Sequence, residues 1–184
     1  TEGENTTALT VAKMSSAVNV TANNIKFGEE AVINIAVPNV SLGVATVVVN
    51  GKSYNVAIVD EKGVLNIYNL AAGDYNVDVT YLGDNKYLSS TNAANFTVSK
   101  VSDYNMTVDI ADIVKGENAT ITVTIPENGT GSVIVTINGT NYKGTVIKGI
   151  AKVIIPDLDE GTYKVVTFYT GDNKYDSMIV NGTI

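Results

Sequence analysis

Cysteine, histidine, tryptophan, arginine and glutamine are all missing from this 184-residue chain, and several of these absences close a class of function. Without Cys there is no disulfide framework and no thiolate nucleophile. Without His, the side chain that most often carries general acid–base chemistry is gone. Without Trp, any stacking platform for a sugar ring falls to Tyr. All 12 basic residues are Lys and face 19 acids, a net charge of −7 that opposes phosphate backbones and anionic lipid. Long apolar runs are lacking too: "GVATVVV" (Gly43 to Val49) falls far short of the roughly 20 residues of a membrane helix. The expectation is a protein with no nucleic-acid partner, no membrane insertion, no cofactor, no resident metal and no catalytic residues.

What the chain does contain is a duplication. "YLGDNKY" (Tyr81 to Tyr87) returns as "YTGDNKY" (Tyr169 to Tyr175), 88 residues later. The same offset pairs Gly28-Glu29 with Gly116-Glu117, Pro38 with Pro126, Gly43 with Gly131, Asn50-Gly51 with Asn138-Gly139, and Tyr54 with Tyr142. It also aligns Leu70, Gly73, Tyr75 and Val77 with Leu158, Gly161, Tyr163 and Val165. A repeat sustained over this many positions is a duplicated domain.

Within each copy polar and apolar residues alternate over short stretches such as "TITVTIP" (Thr120 to Pro126) and "YKVVTFY" (Tyr163 to Tyr169). A period of two, rich in Val, Ile, Thr and Tyr, marks strands with one buried face. Asn-Gly between two such runs marks a tight hairpin, because both central residues need positive φ. The spacing predicts an all-β chain of two tandem immunoglobulin-like sandwiches with six or seven strands each. Leu-x-x-Gly-x-Tyr-x-Val, at Leu70 to Val77 and Leu158 to Val165, puts Tyr75 and Tyr163 where a tyrosine corner ties a loop back to the backbone. The "GDNKY" segments read as tight turns, with Asp84 and Asp172 as turn formers.

At these residues the chain resembles the bacterial-type immunoglobulin-like repeats found in tandem in adhesin-like surface proteins of methanogenic archaea. The shared elements are Gly-Glu before the second strand, the Asn-Gly hairpin, Leu-x-x-Gly-x-Tyr-x-Val and Tyr-x-Gly-Asp-x-Lys-Tyr, over most of residues 15–184. The resemblance implies an extracellular, non-catalytic module of a fibre or stalk at the cell surface, with adhesion as the inferred role and cell-surface or host glycans as a further class of partner.

Nine Asn residues stand in Asn-x-Ser/Thr context, where independent placement gives about 3.5. Asn5, Asn19, Asn39, Asn95, Asn105, Asn118, Asn128 and Asn181 are candidate N-glycosylation sites. Asn138 also serves a hairpin. A strand's outer face generates the same spacing without any enzyme reading it. Asp103, Asp109 and Asp112 cluster in sequence, as solvated acids or as ligands for calcium. A Lys–Asn intramolecular amide would need a buried lysine beside an asparagine and a protonated acid.

The start of the chain looks like an ending. "TALTVAKM" (Thr7 to Met14) matches "NFTVSKV" (Asn95 to Val101), the closing strand and linker of the first repeat: Leu9 falls on Phe96, Val11 on Val98, Lys13 on Lys100 and Met14 on Val101. The domains are therefore read as residues 1–14, a donor-type strand carrying Thr7, Leu9, Val11 and Lys13; residues 15–100; and residues 101–184, whose last strand is short. Two registers fit that strand. The 88-residue spacing puts Ile184 on Phe96, and a two-residue deletion puts it on Val98. A spare closing strand and a short final one together suggest donor-strand complementation between copies of the chain, building a head-to-tail filament. The alternative is a stalk segment of a longer tandem array.

Overall fold

The computed structural model describes residues 8–184. The chain divides into two compact units, the first ending at Val98 and the second running from Ser99 to Ile184. Each is an immunoglobulin-like β-sandwich, and no helix occurs among the described residues.

Unit 1 contains β1 (Asn19–Ala22), β2 (Ile25–Lys26), β3 (Ala31–Ala36), β4 (Leu42–Val49), β5 (Lys52–Val59), β6 (Lys62–Ile67), β7 (Gly73–Tyr81) and β8 (Ser90–Ser99), in the spatial order β1-β3-β6-β5-β4-β7-β8-β2. Strands β5 and β6 share the single pair Val59–Lys62. At that point the ladder bends into two layers, β1-β3-β6 against β5-β4-β7-β8, with β2 beside β8. Alternation along each strand decides what is buried. On β3, Ala31, Ile33 and Ile35 point inward while Val32 and Asn34 point out. They meet Val47, Ile58, Val77 and Tyr81 from the other layer in one core.

Unit 2 repeats this with β9 (Thr107–Ile110), β10 (Ala119–Thr124), β11 (Ser132–Ile137), β12 (Thr140–Thr145), β13 (Ile150–Ile155), β14 (Lys164–Tyr169) and β15 (Met178–Thr183). The layers are β13-β10-β9 and β12-β11-β14-β15. Ile121, Val133, Val135 and Ile155 fill its core. Every strand of unit 1 has its counterpart except β2.

The Asn-Gly pairs close the hairpins β4–β5 and β11–β12, with φ of 44° and 85° at Asn50 and Gly51, and 50° and 77° at Asn138 and Gly139. A second tight turn was not legible. Asp60 and Glu61 lie between β5 and β6 at φ of 47° and 70°, a conformation that Asp tolerates and Glu adopts at a cost.

The last strand keeps the 88-residue spacing. Tyr169 lies opposite Met178, as Tyr81 lies opposite Ser90. Tyr163 and Ile184 exchange both backbone hydrogen bonds (2.8 and 3.0 Å), so Ile184 occupies the place that Phe96 has opposite Tyr75.

One buried polar atom distinguishes the cores. Thr167 is 0% exposed and its hydroxyl has no partner, whereas the corresponding residue of unit 1 is Val79. A buried unsatisfied hydroxyl costs about 1–3 kcal/mol. Thr167→Val is expected to raise the stability of unit 2 by about 1 kcal/mol, measured by denaturant unfolding.

Candidate functional site

The "GDNKY" turns are built on their aspartates. Asp84 Oδ1 accepts the N–H groups of Lys86 (2.6 Å) and Tyr87 (2.7 Å), and the Tyr81 hydroxyl donates to Oδ2 (3.1 Å). Asp172 Oδ1 accepts from Lys174 (2.7 Å) and Tyr175 (2.8 Å), while Oδ2 takes the N–H and hydroxyl of Thr130 (2.8 and 3.0 Å). These bonds hold both carboxyls below the usual carboxylate range. At Asp84 the Tyr87 N–H contributes most; Lys86, Tyr81 and the Lys13 ammonium add to it against burial. At Asp172 burial opposes ionisation most strongly, and the N–H groups of Lys174, Tyr175 and Thr130 together outweigh it.

Each turn also grips the chain segment leading into its unit. The Met14 N–H donates to the Lys86 carbonyl (2.8 Å) and the Leu88 N–H donates to the Met14 carbonyl (2.9 Å), a short parallel bridge to Tyr87. In unit 2, Val101 makes the same pair of bonds with Lys174 (2.9 Å) and Asp176 (3.0 Å) beside Tyr175. Two residues on, the Ser16 hydroxyl donates to the Leu88 carbonyl, and three residues after Val101 the Tyr104 hydroxyl donates to the Asp176 carbonyl. The turn reading of "GDNKY" missed this gripping role. Its signal was the match of Lys13-Met14 to Lys100-Val101.

The described residues before Met14 are unpaired. Ala8 to Lys13 join no sheet, and Leu9 and Val11 are 90% and 87% exposed. Thr7 lies outside the described residues.

Unit 1 shows where such a strand belongs. Val98, the last inward residue of β8, is 1% exposed in a cluster that includes Ile25, Leu70, Tyr75 and Phe96. The Tyr75 hydroxyl donates to the Ala71 carbonyl (2.9 Å), and its ring stacks on Phe96 at 5.2 Å. β2 lies beside β8, and the Thr97 N–H donates to Asn24 Oδ1 (2.8 Å). In unit 2 the counterparts of those four neighbours are Ile113, Leu158, Tyr163 and Ile184, and they line an open cleft of about 420 Å³. The Tyr163 hydroxyl holds the Asp159 carbonyl (2.8 Å) as Tyr75 holds Ala71. Among the described residues none corresponds to Val98, and Ile113 and Val114, the counterparts of β2, form no strand.

The other candidates fall on the surface. Asn19, Asn39, Asn95, Asn105, Asn118, Asn128, Asn138 and Asn181 are all exposed, and Asn5 lies outside the described residues. Asn128 is already engaged, its Oδ1 accepting from the Tyr175 hydroxyl (2.6 Å). Among the described residues no group of three acids stands close enough to hold a metal ion, so Asp103, Asp109 and Asp112 are not brought together. None of the lysines is buried, which removes the condition for an intramolecular amide.

No protein-family model matches the chain, and no curated protein matches it significantly in sequence. Solved structures give distant similarities. The fibronectin(III)-like modules of Clostridium thermocellum CbhA share 14% identity over 91% of this chain and 92% of theirs, with a TM-score of 0.39. The amphioxus IgVJ-C2 molecule shares 16% over 88% and 98%, with a TM-score of 0.41. A 1.5-MDa bacterial ice-binding adhesin shares 14% over 94% of this chain, which spans 64% of that chain, with a TM-score of 0.39. The fold assignment rests on the strand order given above.

The aspartates of the gripping turns set a pH dependence. A carboxyl whose folded pKa is depressed adds stability above its unfolded pKa of about 3.9 and loses it as pH falls through the folded value. Thermal stability is therefore expected to hold from neutrality to about pH 5 and to drop below about pH 4. Asp84→Asn and Asp172→Asn should each lower the melting temperature at pH 7 and flatten that acid-side drop, followed by calorimetry across pH.

Proposed function

We infer that this is an extracellular, non-catalytic structural protein whose copies join head to tail by donor-strand complementation, forming a cell-surface filament with an accompanying role in adhesion. The observation that carries the reading is a segment of closing-strand sequence, Ala8 to Lys13, that joins no sheet and exposes Leu9 and Val11, in a chain whose second unit has an open cleft beside Tyr163 and Ile184. A strand added there completes a hydrogen-bonded ladder and inserts alternate side chains into the groove. Burying one side chain of Val11's size contributes about 1.5–3 kcal/mol, to which ladder bonds add and from which ordering subtracts.

The contact is heterologous, with different surfaces on the two copies, and so it propagates without closing on itself. Exposed sequons distributed over both units are compatible with glycosylation of a surface fibre, which would add bulk and solubility. In the alternative reading, a stalk segment of a longer array, the same groove is filled by chain that continues past Ile184.

Electron microscopy separates the two. The 184-residue chain is expected to form filaments, while a chain lacking residues 1–14 and a Val11→Asp variant stay dispersed. Dispersed particles from all three would overturn the filament reading and favour the stalk.

A further inference from the structure

Resting on the filament reading, we propose the register of the joint: residues 10–14 of one copy continue β15 of the next, with Thr10 opposite Thr162, Val11 opposite Gly161 in Val98's place, and Met14 on its own unit's turn.

Unit 1 is the template. There Thr97 lies opposite Asp74 and Val98 opposite Gly73, and the 88-residue offset carries Asp74 and Gly73 to Thr162 and Gly161. The structure fixes the ladder up to Ile184 opposite Tyr163, so the next two places face Thr162 and Gly161. Leu9 and Ile184 correspond to the same residue, Phe96, and compete for one place. Whichever holds it, the residues after Leu9 fall in the same register.

The bridges agree with this register. Val98, buried in unit 1, stands three positions before Val101, which is bridged to Tyr175 in unit 2. Val11 likewise stands three positions before Met14, which is already bridged to Tyr87. Met14 therefore needs no rearrangement when Val11 is seated in another copy. The joint between copies repeats the connection that the chain makes between its own units. Lys13 is then a linker residue beside Asp84, as its counterpart Lys100 is a linker residue, and Val11 is the side chain that fills the groove. The added strand also supplies Ile113 and Val114 with the partner that lets Ile25–Lys26 form β2 in unit 1.

A cysteine-free chain makes the register measurable. Tyr163 and Ile184 exchange both hydrogen bonds, so the next pair, Thr162 with Thr10, is of the closer, non-hydrogen-bonded kind, at a Cα separation of about 4.5 Å that a disulfide spans. Both residues are exposed, so cysteines there leave the cores intact. Under mild oxidation the full chain carrying Thr10→Cys and Thr162→Cys is expected to shift from monomer to a ladder of covalent multimers on a non-reducing gel. A mixture of the two single variants should stop at dimers. Ala12→Cys with Thr162→Cys, two places out of register, should stay monomeric on the gel. Filaments that cross-link only in the out-of-register pair, or in neither, overturn this register and leave the filament reading standing. Absence of both cross-links and filaments, with the unsubstituted chain also dispersed, overturns the reading itself and the register with it.

Discussion

A hydrogen-bonded ladder that stops early leaves two debts at once: backbone donors and acceptors along the edge, and, because side chains alternate, an unfilled apolar place on the face beneath. In unit 1 neither is open. β8 runs on to Ser99, so Val98 closes the end of the core over Leu70 and Tyr75, and β2 pairs along the far side. In unit 2 the same layers, turns and tyrosine corner are present, but β15 ends as Ile184 reaches Tyr163. The shorter ladder goes with two differences between otherwise matching units: the cleft beside Tyr163 and the lack of a strand at Ile113–Val114. A two-residue strand such as β2 has no stability of its own and exists where a neighbour fixes it.

The gripping turns solve a related problem at the start of each unit. A chain entering a sandwich from outside brings backbone groups with no ladder to join. Met14 and Val101 each satisfy one N–H and one C=O on the turn, and the turn can offer them because its aspartate has already taken the N–H groups of the residues beside them. Asp84 and Asp172 thus fix the turn that presents the Lys86 or Lys174 carbonyl to the incoming segment. Their depressed pKa values are the electrostatic trace of that arrangement.

Much of this was legible in the sequence because the duplication is its own control. Offsets of 88 residues fixed the strand correspondence, Asn-Gly marked the hairpins through the positive φ both residues need, and Leu-x-x-Gly-x-Tyr-x-Val located the corner tyrosines. Features set by tertiary context escaped. Asp60 and Glu61 take a left-handed turn that the identity of Glu61 disfavours, imposed by β5 having to cross to the other layer within two residues. β2 has no signal, since "IK" is a strand only beside β8. The register of the last strand was ambiguous because "NGTI" and "NFTV" both place an apolar residue where one is needed, and the choice depends on the loop after Tyr175 keeping its length. The gripping role of "GDNKY" escaped because a turn's own hydrogen bonds explain its composition completely, leaving nothing in the motif to announce a guest.

The closing strands of the two units differ in chemistry at the residue opposite the corner tyrosine. Where unit 1 stacks Phe96 on Tyr75, the end of unit 2 offers Ile184, and the spare strand carries Leu9 at the same position. An aliphatic side chain packs on the corner tyrosine less rigidly than an aromatic stack, which gains from ring geometry beyond its buried area. Phe96 lies within a ladder that continues to Ser99, where a rigid aromatic fit costs nothing in assembly. On the proposed filament reading, a joint between separate copies has to admit a strand from solution, and a side chain that can yield its place would let that strand register on Val11 first. The aliphatic residue at Ile184 is what that reading requires of unit 2.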